Sequence, residues 1–285
     1  MSHKFLSFLL CFFSVYSAQA MHEKPYYVME GSVDEREYYL KFFFFIPFHT
    51  VINLLNGYDR HEINGFEVSY NHNGRYFDPA KGPNWWEYFF EPIKLAHQKP
   101  ETIIRLPNYK KSMLAHKALY ELSLERRHEL IKKYIRVRSH IQEKVTDFGQ
   151  RNFHNRYVVG IDYHSSSAAF INPDTSFEIM AGKTRELINQ LPLGKDYAIF
   201  LSTNDAAFLE YMRQEFGDAV HCLHVISQKF NVPLIEGEVS LLNGLLLSGV
   251  DTLIESGSYL SQAAIAFNPS VRVISLDKNW IIKDL

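Results

Sequence analysis

A chain of 285 residues has room for one large domain or two smaller ones, each able to bury a real core. Its formal net charge of −2 excludes a general electrostatic attraction to nucleic acid or to an anionic membrane surface. Aromatic side chains are plentiful, 22 Phe and 17 Tyr, which suits an aromatic-rich core first and the wall of a sugar cleft second.

Lys4 precedes an apolar stretch from Phe5 to Tyr16, and Ala18-Gln19-Ala20 follows with the small-x-small pattern of a cleavage site. The stretch is shorter than the about 20 residues a membrane span needs. Residues 1–20 therefore read as a secretory signal peptide cleaved after Ala20, with an uncleaved anchor as the alternative. A secreted or secretory-lumen protein, or a periplasmic one, is expected, with no stable membrane span after cleavage. Of the two cysteines, Cys11 leaves with the signal peptide. Cys222 alone cannot form an internal disulfide.

Downstream, Tyr39 to Ile46 is almost continuously apolar and ends at Pro47, as a buried strand or packed segment would. Val51 to Tyr58 predicts a short helix closed by Gly57. Phe66 to Tyr70 alternates as a strand does, and Asn84 to Pro92 is the most aromatic stretch. From 112 to 148 the pattern is helical. Leu130, Tyr134, Val137, Ile141, Val145 and Phe148 make one apolar stripe, with Gly149 as the stop. Arg126, Arg127, Lys132, Lys133, Arg136 and Arg138 are expected on its solvated face.

Beyond 156 strands and helices alternate. Tyr157–Asp162, Tyr197–Leu201, Val220–Ile226, Val250–Ile254 and Val271–Leu276 read as strands. Helices carry Phe208 to Phe216, Glu238 to Ser248, and the stretch from Glu255 through Phe267. This order predicts a parallel sheet with helices on both faces, whose ligands sit at the carboxyl ends of the strands. Three polar clusters fall there: Asp162 to Ser167, Ser202 to Asp205, and Glu255 to Ser261. A helix opening straight from a strand aims free N–H groups at that edge and favours anions. A serine there is also an ordinary helix cap. No metal-binding spacing, P-loop or GxSxG elbow is present.

Three segments resemble the fucosyltransferase superfamily of α-1,6-, nodulation-factor and protein O-fucosyltransferases. They are Val159-Gly160-Ile161-Asp162-Tyr163-His164, Phe200-Leu201-Ser202-Thr203-Asn204-Asp205, and Glu236 through Gln262. The first is similar to that family's strand ending in His-x-Arg, the second to its FLATDD strand end, the third to its leucine-rich helix, strand and Ser-rich loop. Asn84 to Pro92 resembles a WEYYFEP stretch of bacterial glycosyltransferase-like proteins. The resemblance implies an α/β protein of two Rossmann-like lobes in the GT-B manner, here 21–150 on the acceptor side and 151–285 on the nucleotide-sugar side. It implies GDP-fucose as donor, a glycan or glycoprotein as acceptor, and an inverting transfer without a metal. The site it implies comprises Asp162 and His164 as catalytic positions, with Thr203, Asp205, Glu238, Ser256, Ser258 and Ser261 on the donor.

The chain departs from the pattern where charge matters. His164 stands at the arginine position, Asp162 at the histidine position, and Ser167 at the acidic position that follows. A histidine lacks the guanidinium fork and is mostly neutral near pH 7. A secreted, non-catalytic binding protein that keeps the fold is therefore the alternative to a working transferase.

Overall fold

The computed structural model describes residues 24–30, 45–70, 78, 80–95, 103–106, 108–164, 176–223, 233–255 and 257–276. Residues 1–20, read above as a signal peptide, together with Ser165 to Ser167 and Ser256, lie outside them.

Among the described residues there are two parallel sheets. In the smaller, β1 (Tyr26–Glu30) lies between β2 (Gly65–Ser69) and β3 (Ile103–Leu106). Among the described residues the first half of the chain also carries the helices α1 (Phe45–Asp59), the short α2 (Trp86–Phe89), α3 (Asn108–Glu121), α4 (Leu124–Tyr134) and α5 (Ser139–Phe153). The larger sheet contains β4 (Tyr157–Tyr163), β5 (Tyr197–Thr203), β6 (Val220–His221), β7 (Thr252–Glu255) and β8 (Arg272–Ser275). Their order is β6-β5-β4-β7-β8, every pair parallel. Helices α6 (Phe177–Asn189), α7 (Ala206–Phe216), α8 (Pro233–Leu247) and α9 (Tyr259–Phe267) connect them. The larger sheet is the parallel α/β sheet that the alternation predicts, and the whole is the GT-B-like α/β architecture that the resemblance implies.

β4 and β5 are apolar on successive residues because both faces are covered. Val158, Phe200 and Leu253 enter one core, and Val159, Ile161, Ile199, Leu201 and Ile254 enter another. The second core is filled by Met180 and Leu187 of α6 with Phe208 and Met212 of α7. The first is larger and runs from Met29 of the small sheet through Phe48, Trp86, Phe90 and Leu130 to Leu246 and Ala263. The aromatic stretch at 84–92 belongs to it. Trp86 stacks on Phe90 with centroids 4.4 Å apart, and Phe48 stacks on Phe267 at 5.2 Å. At Gly160 a Cβ would stand 3.0 Å from Leu247 Cδ2 and from Val250 Cγ2, so the central strand accepts the end of α8 only because this side chain is absent.

The structure corrects several sequence expectations in the first half. The helical stretch from 112 to 148 is three helices. Ser123 caps α4, and Ile135 to Arg138 is extended rather than helical. Val137 forms an antiparallel bridge with Phe90, and the Glu91 and Arg138 amides donate to Arg136 and Phe89 carbonyls at 2.8 and 2.9 Å. The β-branched Ile135 and Val137 favour this pairing, which satisfies backbone groups the helix would otherwise keep. Gly149 lies inside α5, which continues to Phe153. Gly57 likewise lies inside α1, whose start tolerates Pro47 because first-turn N–H groups have no intrahelical acceptor. The basic face is not uniformly solvated: Arg127 is buried, and Arg126 is tied to Asp59 at 2.7 Å. Of the strand expected over 220–226, the described part is Val220–His221.

Candidate functional site

The site grows from strand register. Asp162 on β4 pairs with Ser202 on β5 and with Glu255 on β7, and Glu255 pairs with Ser275 on β8. Side chains alternate along a strand, so Asp162 shares the face of Val158, and Ser202 that of Phe200. A polar row thus crosses the carboxyl end of the larger sheet on the side of its first core. Asp162, Ser202 and Glu255 are completely buried.

The loop from β7 into α9 closes over this row. Gly257 takes a φ of 80°, a conformation that suits glycine, and its amide donates to Glu255 Oε2 at 2.6 Å. Ser258 is the N-cap of α9 and forms a capping box with Ser261. The Ser258 hydroxyl donates to Asp162 Oδ2 and accepts from the Ser261 amide at 3.0 Å. The Ser261 hydroxyl lies 3.0 Å from Glu255 Oε2 and accepts from the Ser258 amide at 3.2 Å. Burial raises the Glu255 carboxyl above the ordinary glutamate range. Bonds from Ser275, Gly257 and Ser261 oppose that rise, and the charge of Asp162 adds to it. His164, one-fifth exposed, places Nε2 3.2 Å from Asp162 Oδ1, within ion-pair reach when the imidazole is protonated. The Ser202 hydroxyl meets no hydrogen-bond partner among the described residues.

Asp162, His164, Ser258 and Ser261 are therefore brought together. Thr203 and Asp205 do other work. Thr203 lies on the opposite face from Asp162, with Leu201, and its hydroxyl accepts from the Asp205 amide at 3.0 Å. Asp205 caps α7, accepting from the Ala207 and Phe208 amides at 2.9 and 3.1 Å. Glu238, on α8, is paired with Lys144 of α5. Ser256 lies outside the described residues. The sequence places Glu255 and Ser202 within its polar strand-end clusters but assigns neither a role in the site. Glu255 closes the polar strand end of β7, but the choice of Ser202 over Thr203 needs the register, which the sequence alone does not supply.

Among the described residues no three His, Cys, Asp or Glu side chains cluster as metal ligands would, and no helix is long and apolar enough to cross a membrane. A cavity of about 250 Å³ lies elsewhere, against the first residues of β1 and β2, lined by Tyr26, Phe66, Glu67, Trp86 and Pro92 among others.

No family model and no curated protein matches this sequence. Solved structures do match by shape, and they define a fucosyltransferase-like fold. NodZ α-1,6-fucosyltransferase soaked with GDP-fucose is 14% identical, with 90% of this chain and 96% of that one aligned at a TM-score of 0.62. The fucosyltransferase NodZ from Bradyrhizobium is 16% identical over 89% and 96% of the two chains, also at 0.62. POFUT1 in complex with GDP-fucose is 9% identical over 90% and 98%, at 0.51. The chain thus has the fucosyltransferase-like fold over nearly its whole length, at identities too low to carry residue roles.

Proposed function

We propose that this protein is a nucleotide-sugar-binding glycosyltransferase-like protein, with GDP-fucose as the donor and a glycan or glycoprotein as the acceptor partner. The observation that carries this reading is the hydroxyl-lined edge at Asp162, His164, Ser258 and Ser261. It lies at the carboxyl ends of adjacent parallel strands, where open α/β sheets bind ligands. The fold match to NodZ soaked with GDP-fucose supports the donor class. Lobes of 21–150 and 151–285, and export by residues 1–20, belong to the same proposal.

In an inverting transfer, an acceptor hydroxyl attacks the anomeric carbon as its bond to the diphosphate breaks, and negative charge grows on the leaving phosphate. Charge or N–H donors placed there accelerate the step. Among the described residues the basic side chain at this edge is His164, whose Nε2 lies 3.2 Å from Asp162 Oδ1. Asp162 and Glu255 add negative potential to the same end of the sheet. Losing one well-placed electrostatic donor typically lowers the rate roughly 100- to 1000-fold. The chain thus binds donor and transfers weakly or not at all. The alternative reading, a non-catalytic binding protein, is favoured by that same carboxyl pair.

The test is calorimetric titration of the mature protein with GDP, GDP-fucose and UDP- and CMP-sugars, alongside a transfer assay. The expected result is preference for the GDP series with slow transfer. Changing His164→Arg together with Asp162→His is expected to tighten GDP. Equal or absent binding of all the nucleotides by both forms would overturn the donor assignment.

A further inference from the structure

Among the described residues Arg127 is a buried charge without an ionic partner. It lies on α4 with 4% of its surface exposed, and no carboxylate lies within ion-pair distance of it among the described residues. Among the described residues its one side-chain hydrogen bond is from Nη1 to Gln262 Oε1 at 3.3 Å, and Nε meets no acceptor. Since Oε1 of Gln262 faces the guanidinium, the amide nitrogen Nε2 points away, and it too is buried without an acceptor among the described residues. A buried guanidinium with an unsatisfied donor and no carboxylate beside it calls for negative charge nearby. Burial lowers the guanidinium pKa to about 10, so it stays charged at neutral pH. The neighbouring His49 adds no charge. Burial holds its pKa down to about 3, and Nε2 is engaged with the Tyr259 carbonyl at 3.0 Å.

The position of this charge ties it to the strand-end site. Gln262 lies on α9 four residues after its N-cap Ser258, about one helical turn into the helix. Ser258 touches Asp162, and Gln262 touches Arg127. His128 also contacts α9, through the Ala266 carbonyl at 3.1 Å, so α4 is held along that helix. A buried charge is screened little and acts across the interior without contact.

We propose that Arg127 supplies, from the first half of the chain, the positive potential that draws a nucleoside diphosphate to the opening turn of α9. This rests on the donor-site reading above, and it assigns the cation that the strand edge lacks. Structural duty alone does not account for the residue, because an uncompensated buried charge destabilises a fold that an apolar or neutral side chain would suit better.

The experiment titrates the full-length mature protein with inorganic pyrophosphate, GDP and guanosine, for wild type, Arg127→Gln and Arg127→Lys, with melting temperatures alongside. Arg127→Gln is expected to lose about tenfold in affinity for pyrophosphate and GDP, as for a unit charge removed at a distance across a poorly screened interior. Guanosine affinity and melting temperature should stay level, or the latter rise. Arg127→Lys should remain within about threefold of wild type, the charge being kept. A folded Arg127→Gln protein with unchanged pyrophosphate affinity overturns the proposal. So does one that melts earlier, fails to fold, or loses guanosine equally, for then Arg127 is a structural tie. Arg127-dependent binding of pyrophosphate without preference for GDP would instead remove the donor reading and leave this inference standing.

Discussion

Replacing Gly160 by alanine adds one methyl group to the middle of the central strand. The new Cβ would stand 3.0 Å from Leu247 Cδ2, 3.0 Å from Val250 Cγ2 and 3.1 Å from Val250 Cγ1. Three such contacts on one atom require both neighbours to retreat by a few tenths of an ångström, and both are buried. Overpacking of this kind costs about 1–3 kcal/mol. The lost freedom of glycine in the unfolded chain returns about 0.4–1 kcal/mol. The net expectation is a destabilisation of about 1–2 kcal/mol, a fall of roughly 2–4 °C in Tm for a protein of this size. Thermal melts by circular dichroism measure it. Val250→Ala removes two of the three offending atoms while itself losing about 1.5 kcal/mol of burial. In the double variant the added methyl occupies the space that Val250 leaves, so the two effects should couple by about 1 kcal/mol or more. A Gly160→Ala protein as stable as wild type, or a strictly additive double variant, would refute the packing argument.

Other consequences can be measured in parallel. The Glu255 carboxyl is raised by burial above the ordinary value of 4.5, so its contribution to stability is present below that pH and lost as pH rises through the folded value. Glu255→Gln should gain stability relative to wild type with rising pH and match it in acid; denaturant midpoints across pH 4–8 that run parallel would contradict this. Asp59 shows the opposite sign. Lys133, Arg126 and Tyr134 hold its carboxyl well below the ordinary 3.8, so its stabilisation is present above that value and lost as pH falls. Asp59→Asn is expected to cost about 1 kcal/mol at neutral pH, after allowance for solvent screening, with the difference vanishing in strong acid. Exported protein should begin at Met21 by N-terminal sequencing; a Met1 terminus would count against cleavage.

The larger sheet was legible in the sequence because each of its strands is a short apolar run that ends abruptly in polar residues. Tyr157 to Tyr163 and Tyr197 to Thr203 show this most clearly, and Asp205 and Gly217 mark the ends of α7 in chain order. Asp162 and Ser258 could be named from position alone, each at the end of a strand or the start of a helix. Their contact is a property of the parallel register, which no local pattern encodes. Local pattern also misled at Tyr134, Val137 and Ile141. Their spacing matches a helix, yet Val137 is extended and pairs with Phe90, 47 residues earlier in the chain. Arg127 was unreadable for a related reason. A basic residue among basic residues looks solvated until α9, more than a hundred residues later, is laid over it.

The first core has a consequence for how the molecule comes apart. Its side chains pass without interruption from Met29 and Phe48 to Val158, Leu246 and Ala263, and Phe148 and Phe153 of α5 press on Phe200 of β5. Neither half can melt without stripping the apolar surface of the other. Separately expressed fragments cut near 150 would each present a wide greasy face to solvent and self-associate. Heat should therefore take the molecule through one cooperative transition, with calorimetric and van't Hoff enthalpies in agreement.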